Sequence, residues 1–329
     1  MASAVRSGVR ISPSVKRWLS GPDSDPSVQL RYWTEVDGRA PEDSRARRAR
    51  TRIGKVGWAA KLLAQQFPDG HWATPVASEV YRPKYIATNW IMIVLADLGV
   101  TKRDRRVARL AEFMIDRWSR REGRDGYPLS GFDGETCATG NAVRSLIRFG
   151  YLDHPVVQQS IDWLLRAQKA DGGWHCFPAK HGTLDAWEGL AALAEIAPSE
   201  RDQRVRTAIE RGAEFFLSRR LMDEGPSPYS PWYRIHYPTH YYYDLLVGLR
   251  VLARLGYAND RRMGAAYRWL LKKRGPDGRW RLDAVHPDMD PQRGGYEMEG
   301  PVYSTWLERA GTPSRWATVE ALSVLSRRD

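Results

Sequence analysis

The sequence predicts an all-α protein assembled from repeated helix pairs, and three observations carry that expectation. A turn-forming Asp-Gly followed by an aromatic residue recurs at Asp69-Gly70-His71-Trp72, Asp125-Gly126-Tyr127, Asp171-Gly172-Gly173-Trp174 and Asp277-Gly278-Arg279-Trp280. The first three turns are 56 and 46 residues apart, and the fourth lies 106 beyond the third, so a degenerate copy is expected midway, at Asp223-Glu224-Gly225. Between turns the apolar residues recur at spacings of three and four, two amphipathic helices per period.

The helix leading into each turn is charged on one face, over 47–67, 103–118, 154–169, 202–220 and 260–274. That composition suits an exterior. The helix after each turn is more apolar and aromatic, over 84–99, 136–150, 181–196, 239–255 and 314–327, with a shorter extra candidate at 26–36. These are expected to form an inner layer. Within a turn, Gly supplies the bend, Trp packs under the next helix pair, and a Gln amide satisfies backbone groups at a helix end.

Two turns carry more than Asp-Gly. Gln66-Phe67-Pro68-Asp69-Gly70-His71-Trp72 and Gln168-Lys169-Ala170-Asp171-Gly172-Gly173-Trp174 both fit Q-x3-G-x-W, while Arg274 replaces the glutamine in the last copy. This pattern resembles the repeat of the squalene cyclase and protein prenyltransferase superfamily over roughly residues 25 to 328. The resemblance implies an α/α toroid, a closed ring of about five to six helix pairs with inner and outer layers around a central cavity. Residues 1–24 would be an N-terminal extension and 25–329 one toroid domain.

In such a ring the inner helices start at one end, so their first turns converge on one mouth. The residues there are Asn89, Trp90, Thr139, Asn141, Asp185, Trp187, His240, Tyr241 and Asp244. Lys84, Tyr85, Thr88, Thr136, His181 and Trp316 also fall there. Aromatic side chains at Trp90, Trp187, Tyr241, Tyr242, Tyr243 and Trp316 suggest a flat-walled apolar pocket able to stabilise a cation, against the plainer reading of core packing.

Cys137 and Cys176, the chain's two cysteines, flank adjacent inner helices together with His181. Thiolate and imidazole suit zinc, and three ligands leave a fourth position open, with His175, Asp185 or His240 able to complete or replace a member. The plainer reading makes both thiols small core side chains. Protein prenyltransferase β subunits and lanthionine cyclases hold zinc at the mouth of such a toroid, but neither local motif is present in full. The D-x-D-D motif of protonation-initiated cyclases and the paired aspartates that hold magnesium are missing too, Asp288-Met289-Asp290 being the nearest match.

The 329 residues carry a formal net charge of +12, concentrated on outer helices at residues such as Arg105, Arg109, Arg117, Arg268 and Lys272. A solvated exterior is the plain reading and an anionic membrane surface the alternative; no nucleic-acid motif accompanies the charge. With no signal-peptide run and no spanning segment, a cytoplasmic protein is expected, membrane-associated peripherally in the alternative. The expected function is a prenyltransferase- or terpenoid-cyclase-like enzyme acting on a hydrophobic, isoprenoid or prenylated small molecule, with zinc as candidate cofactor. The rivals are a non-catalytic binding or scaffold toroid and a lanthionine-cyclase-like zinc enzyme acting on a peptide thiol.

Overall fold

A computed structural model describes residues 10–72, 80–81, 84–119, 129, 135–223, 229–285 and 307–328. Among them the chain is helical, with only isolated β-bridges and no strand. The turn expected at Asp125 and the Asp288-Met289-Asp290 segment lie outside the described residues, as do Glu224 and Gly225.

Two layers of helices are present. The more buried one contains α2 (Pro26–Arg31), which runs into a single π-helical turn at Tyr32–Val36, then α5 (Thr88–Leu98), α7 (Thr136–Phe149), α9 (Glu188–Ala194), α11 (Leu245–Arg254) and α13 (Arg315–Leu325). The charged layer contains α3 (Ser44–Arg52), α4 (Gly57–Leu63), α6 (Arg105–Ser119), α8 (Pro155–Ala167), α10 (Gln203–Ser218) and α12 (Gly264–Lys272). In the inner layer α5 packs on α7, α7 on α9, α9 on α11, α11 on α13, and α13 back on α2. A helix within the predicted N-terminal extension, α1 (Pro13–Ser20), joins them, with Val15 and Leu19 fully buried in the common core.

Caps explain the boundaries. Asp202, Asp244 and Ser314 accept hydrogen bonds from the N–H groups of Val205, Val247 and Ala317, each at 2.8 Å, so α10, α11 and α13 begin after a capping side chain. The expected helix 47–67 divides into α3 and α4, because Gly54 and Gly57 both take left-handed φ values between them. The expected inner helices 181–196 and 239–255 begin late, at 188 and 245: residues before α9 form a loop and a 3-10 turn, and His240 sits at φ 47°.

The repeat turns share one geometry. The indole N–H groups of Trp72, Trp174 and Trp280 donate to the carbonyls of Leu62, Leu164 and Leu270 at 2.9, 2.9 and 2.7 Å, each ten residues upstream at the end of an outer helix. Gln66 Nε2 donates to Gly70 O and also to Arg106 O on α6; Gln168 Nε2 repeats this with Gly172 O and Ala208 O on α10. Each amide therefore ties its own turn to the next outer helix. Arg274 stands in for glutamine by donating to Gly278 O and to Arg10 O, just ahead of α1. The Trp174 ring lies where a Cβ on Gly189 of α9 or Gly212 of α10 would meet it at 2.6 and 3.0 Å, so both helices approach because they lack side chains there.

At their C-terminal ends the inner helices meet through charge. Asp97 receives Arg144 at 3.4 Å and Arg148; Glu195 receives Arg148 at 2.7 Å and Arg254 at 2.6 Å; Glu320 receives Arg31 and, at 3.2 Å, Arg250; Glu35 receives Arg31 and Arg327. These pairs bridge α2, α5, α7, α9, α11 and α13. The arginines hold Glu35 down at about 2, against the burial that acts to raise it, and hold Asp97 and Glu195 below the usual carboxylate range as well.

Two outcomes follow from this packing. A Cβ on Gly172, at φ +90°, would lie 2.4 Å from Arg211 O, whereas Gly256, at φ +97°, has open space. Gly256→Ala should therefore cost about 1 kcal/mol of backbone strain, and Gly172→Ala at least about 2 kcal/mol more from displaced backbone. Equal losses in urea titrations would contradict the turn-to-helix contact. Because folding lowers the carboxylate pKa values, their stabilisation is complete above the unfolded value near 4.5 and is lost as pH falls towards about 2. Helical circular dichroism should collapse across that window, and retention of the signal at its lower end would show that the ion pairs contribute little.

Candidate functional site

The N-terminal ends of the inner helices surround a cavity of about 490 Å³. Its walls are Tyr81, Lys84, Glu135, Cys137, His175, Cys176, Phe177, Thr183, Asp185, Tyr229, Tyr241 and Tyr242. Of the expected mouth and pocket residues, the structure brings Lys84, Asp185, Tyr241 and Tyr242 to this surface, together with Cys137 and Cys176.

Tyr241 is held on several sides. Its hydroxyl lies 3.0 Å from that of Tyr85 and accepts from Lys84 Nζ at 3.3 Å, and its ring stacks on Tyr242 with centroids 5.1 Å apart. Its carbonyl accepts the Trp187 indole N–H at 3.2 Å. Behind it Tyr85, Trp90 and His240 form a buried aromatic cluster, and burial pulls the His240 imidazole down to about 3, neutral at any ordinary pH.

Other expected residues serve packing. Trp90, Trp187, Tyr243 and Trp316 are buried in the core, since the inner helices need large side chains between them; of the aromatic set only Tyr241 and Tyr242 line the cavity. Asn141 donates to His240 O at 3.1 Å and accepts from Arg144 at 2.9 Å, tying α7 to the segment before α11. Asn89 and Thr139 are buried in the first turns of α5 and α7. Asp244 caps α11 and also receives His236 Nδ1 at 3.0 Å, away from the mouth.

The two cysteines are neighbours. The Cys176 thiol beside it, then burial and the Glu135 carboxyl 4.0 Å from its sulfur push the Cys137 thiol well above its usual range. His181 does not join them: its side chain is 82% exposed and faces Asp171 at 3.8 Å, and His175 Nδ1 accepts from Phe177 N at 3.0 Å. Among the described residues no group of three or more His, Cys, Asp and Glu side chains is arranged to hold a metal ion. The set Cys137, Cys176 and His181 therefore does not fit a three-ligand zinc centre, because the loop turns the imidazole towards Asp171.

Carboxyl groups dominate what sequence reasoning missed. Burial raises Glu135, and Glu188, at the start of α9, is raised much further, by burial first and then by Cys137. Both Glu188 oxygens are buried without a hydrogen-bond partner among the described residues, consistent with a neutral acid. Asp185 opens on to the cavity while the protein packed around it raises its carboxyl; the Trp232 indole N–H, donating to Oδ1 at 2.8 Å, and His175 act in the opposite direction. Glu135 and Glu188 adjoin Cys137 and Asp185 in the mouth segments, but nothing in their spacing marks their pKa values as raised.

The thiol environment has a direct consequence. Since the thiolate is the reactive form, Cys137 should alkylate with iodoacetamide at pH 8 at least about ten-fold more slowly than a free cysteine, and Cys176→Ala should speed it. Fast alkylation of Cys137 in the folded protein would contradict the arrangement.

No helix of the described residues is long and apolar enough to cross a membrane. No family model matches the chain, and no curated protein matches it. Solved structures similar to it include a protein from Actinoplanes, 18% identical over 94% of this chain and 90% of that one, with a TM-score of 0.42. They also include the type II terpene cyclase MstE from Scytonema without ligand, 16% identical over 82% and 96%, TM-score 0.33. A variant of MstE bound to geranylgeranyl dihydroxybenzoate is 15% identical over 82% and 95%, TM-score 0.33.

Proposed function

We propose that the inner helices close into an α/α toroid, and that its mouth is the substrate pocket of a terpenoid-cyclase-like enzyme acting on a neutral, isoprenoid-bearing small molecule. Closure is supported by the contacts between first and last elements: α13 against α1 and α2, Arg274 on Arg10, and Arg31 reaching both Glu320 and Asp97 O. The repeat pattern supports the superfamily.

The observation that carries the reading is Asp185, a carboxyl at the wall of an aromatic cavity whose surroundings raise its pKa. Burial raises the Asp185 carboxyl, so its surroundings favour the protonated form more than water would, although the side chain is open to the cavity. Once the proton leaves, the Trp232 N–H and His175 stabilise the carboxylate that remains. Transfer to a substrate double bond forms one C–H bond from the π pair and leaves a carbocation. Tyr242 and Tyr241 present aromatic faces to such a cation. Attack by a second double bond closes a ring, and loss of a proton ends the reaction as an isomerisation that needs no co-reactant. Asp185 acts here without a D-x-D-D motif, so its neighbours, in place of further aspartates, tune it.

The same walls argue against a diphosphate substrate. Glu135 and Asp185 offer no welcome to an anion, and Lys84 is the single lysine or arginine among the described lining residues. An ionisation mechanism also needs paired carboxylates on magnesium, which the sequence lacks.

Quenching of intrinsic fluorescence should detect binding of geranylgeraniol, with geranylgeranyl diphosphate weaker. Gas chromatography with mass detection should then find an isomer of the added alcohol. Asp185→Asn should abolish that product while changing affinity by less than about three-fold, the mark of a group acting in the transition state. Turnover should fall as pH rises through the Asp185 pKa, because the protonated form is the competent one. Undiminished turnover by Asp185→Asn would remove it as the acid; binding without conversion in the unmodified protein would favour a scaffold.

A further inference from the structure

The opposite ends of the inner helices hold a second cavity, of about 230 Å³. Six arginines, Arg31, Arg144, Arg148, Arg250, Arg254 and Arg327, line it. Four carboxylates compensate them, Glu35 and Glu195 in the lining and Asp97 and Glu320 behind it, which leaves two positive charges in excess among the described residues. Burying charge without a partner is costly, so an excess of this kind marks a place for a counter-ion.

The excess can be located. Arg148 and Arg254 each share Glu195 in close contacts, and Arg31 spans Glu320 and Glu35. By contrast, among the described residues Arg144 reaches Asp97 at 3.4 Å and Asn141 Oδ1 at 2.9 Å while its buried Nε has no partner, and Arg250 has one ion pair, to Glu320 at 3.2 Å. Burial pulls the Arg144 guanidinium down to about 10 in spite of Asp97, with Arg148 and Arg250 adding to the shift. Helix dipoles account for part of the arginine enrichment, because cations suit helix C-termini, but that effect fades within the last turn. Arg144 and Arg250 stand further in, five and four residues before their helices end. Exposure grades along the cavity, from 2% at Arg144 and 14% at Arg250 to 33% at Arg327 and 43% at Arg254.

We propose that this cavity binds a small oxyanion of the phosphate class, held by Arg144 and Arg250 at its floor and admitted past Arg254 and Arg327. Guanidinium forks from separate helices match the tetrahedral oxygens of such an anion and can grip it bidentately. The site differs from the aromatic mouth in charge and in the helix ends that form it, although Trp187, one of its walls, also donates to Tyr241 O. An occupant would draw α7 and α11 together and stabilise the assembled inner layer.

Isothermal titration calorimetry and thermal unfolding of the full chain, with inorganic phosphate, diphosphate and malonate against sodium chloride at matched ionic strength, test this. Phosphate or diphosphate should bind with a Kd below about 1 mM and raise the melting temperature. Arg250→Gln should weaken that binding by about ten-fold or more, as expected for a lost charge-assisted hydrogen bond. Arg268→Gln, on the exposed face of α12, should bind as the unmodified protein does. Should Arg250→Gln not fold, Arg250→Lys keeps the charge without the fork and should fold and bind more weakly. Stabilisation matched by sodium chloride, malonate binding as tightly as phosphate, or unchanged binding by a folded Arg250 variant would each overturn the proposal. Asp185→Asn, which alters only the mouth, should leave anion binding intact, so failure of one reading is distinguishable from failure of the other.

Discussion

The three described turns that carry tryptophan each depend on one buried hydrogen bond, from an indole N–H to the carbonyl ten residues upstream. A buried tryptophan needs a partner for its N–H, and the end of an outer helix has carbonyls left without an intrahelical donor. The bond satisfies both, and it fixes where the chain re-enters as an inner helix. Trp72 and Trp280 extend the tie through their own N–H groups, which donate to Thr88 Oγ1 and Thr318 Oγ1 in the first turns of α5 and α13, each at 3.0 Å. The glutamine or arginine of the same turn then engages the next outer helix, or α1. Helix order and spacing follow from this local device repeated.

The two ends of the inner layer carry different chemistry. The entering ends carry aromatic rings, thiols and carboxyls whose pKa their surroundings raise. The leaving ends carry arginines and ionised carboxylates, matched to the negative ends of the helix dipoles. Burial acts on both sets. At the mouth Glu188 and Asp185 have few cationic neighbours and burial raises them, while at the other end Asp97 and Glu35 have several arginines each, which hold them below the usual carboxylate range. Number of charged partners, more than depth, separates the two groups.

Much of the architecture was legible in the sequence. Asp-Gly-aromatic spacing located the turns at Gly70, Gly172 and Gly278, and the apolar pattern of residues 88–98 gave an inner helix buried along its whole length. The pairing of Cys137 with Cys176 followed from their placement on neighbouring copies of one position. The break at Gly54 and Gly57 and the late start of α11 were not legible, because apolar periodicity runs through both segments while backbone φ values decide them. A signal for the arginine cavity was present but unread: Arg144 and Arg148, and Arg250 and Arg254, recur four apart on otherwise apolar helices, facing lone acids at Asp97 and Glu320.

By itself, then, the sequence determined the helical class, the repeat, its turns and the assignment of faces, since those are set by local propensity and by spacing along one chain. Tertiary structure decided which side chains meet. It turned His181 away from the thiols towards Asp171, sent Trp90, Trp187 and Trp316 into the core, and set Glu135 and Asp185 beside the tyrosines. Protonation state was also a tertiary outcome, because a carboxyl's charge depends on the desolvation and counter-charges supplied by residues distant in sequence. Asp97 and Asp185 are both aspartates in inner-layer segments, yet the arginines that α7, α11 and α2 bring to Asp97 lower it, whereas burial raises Asp185.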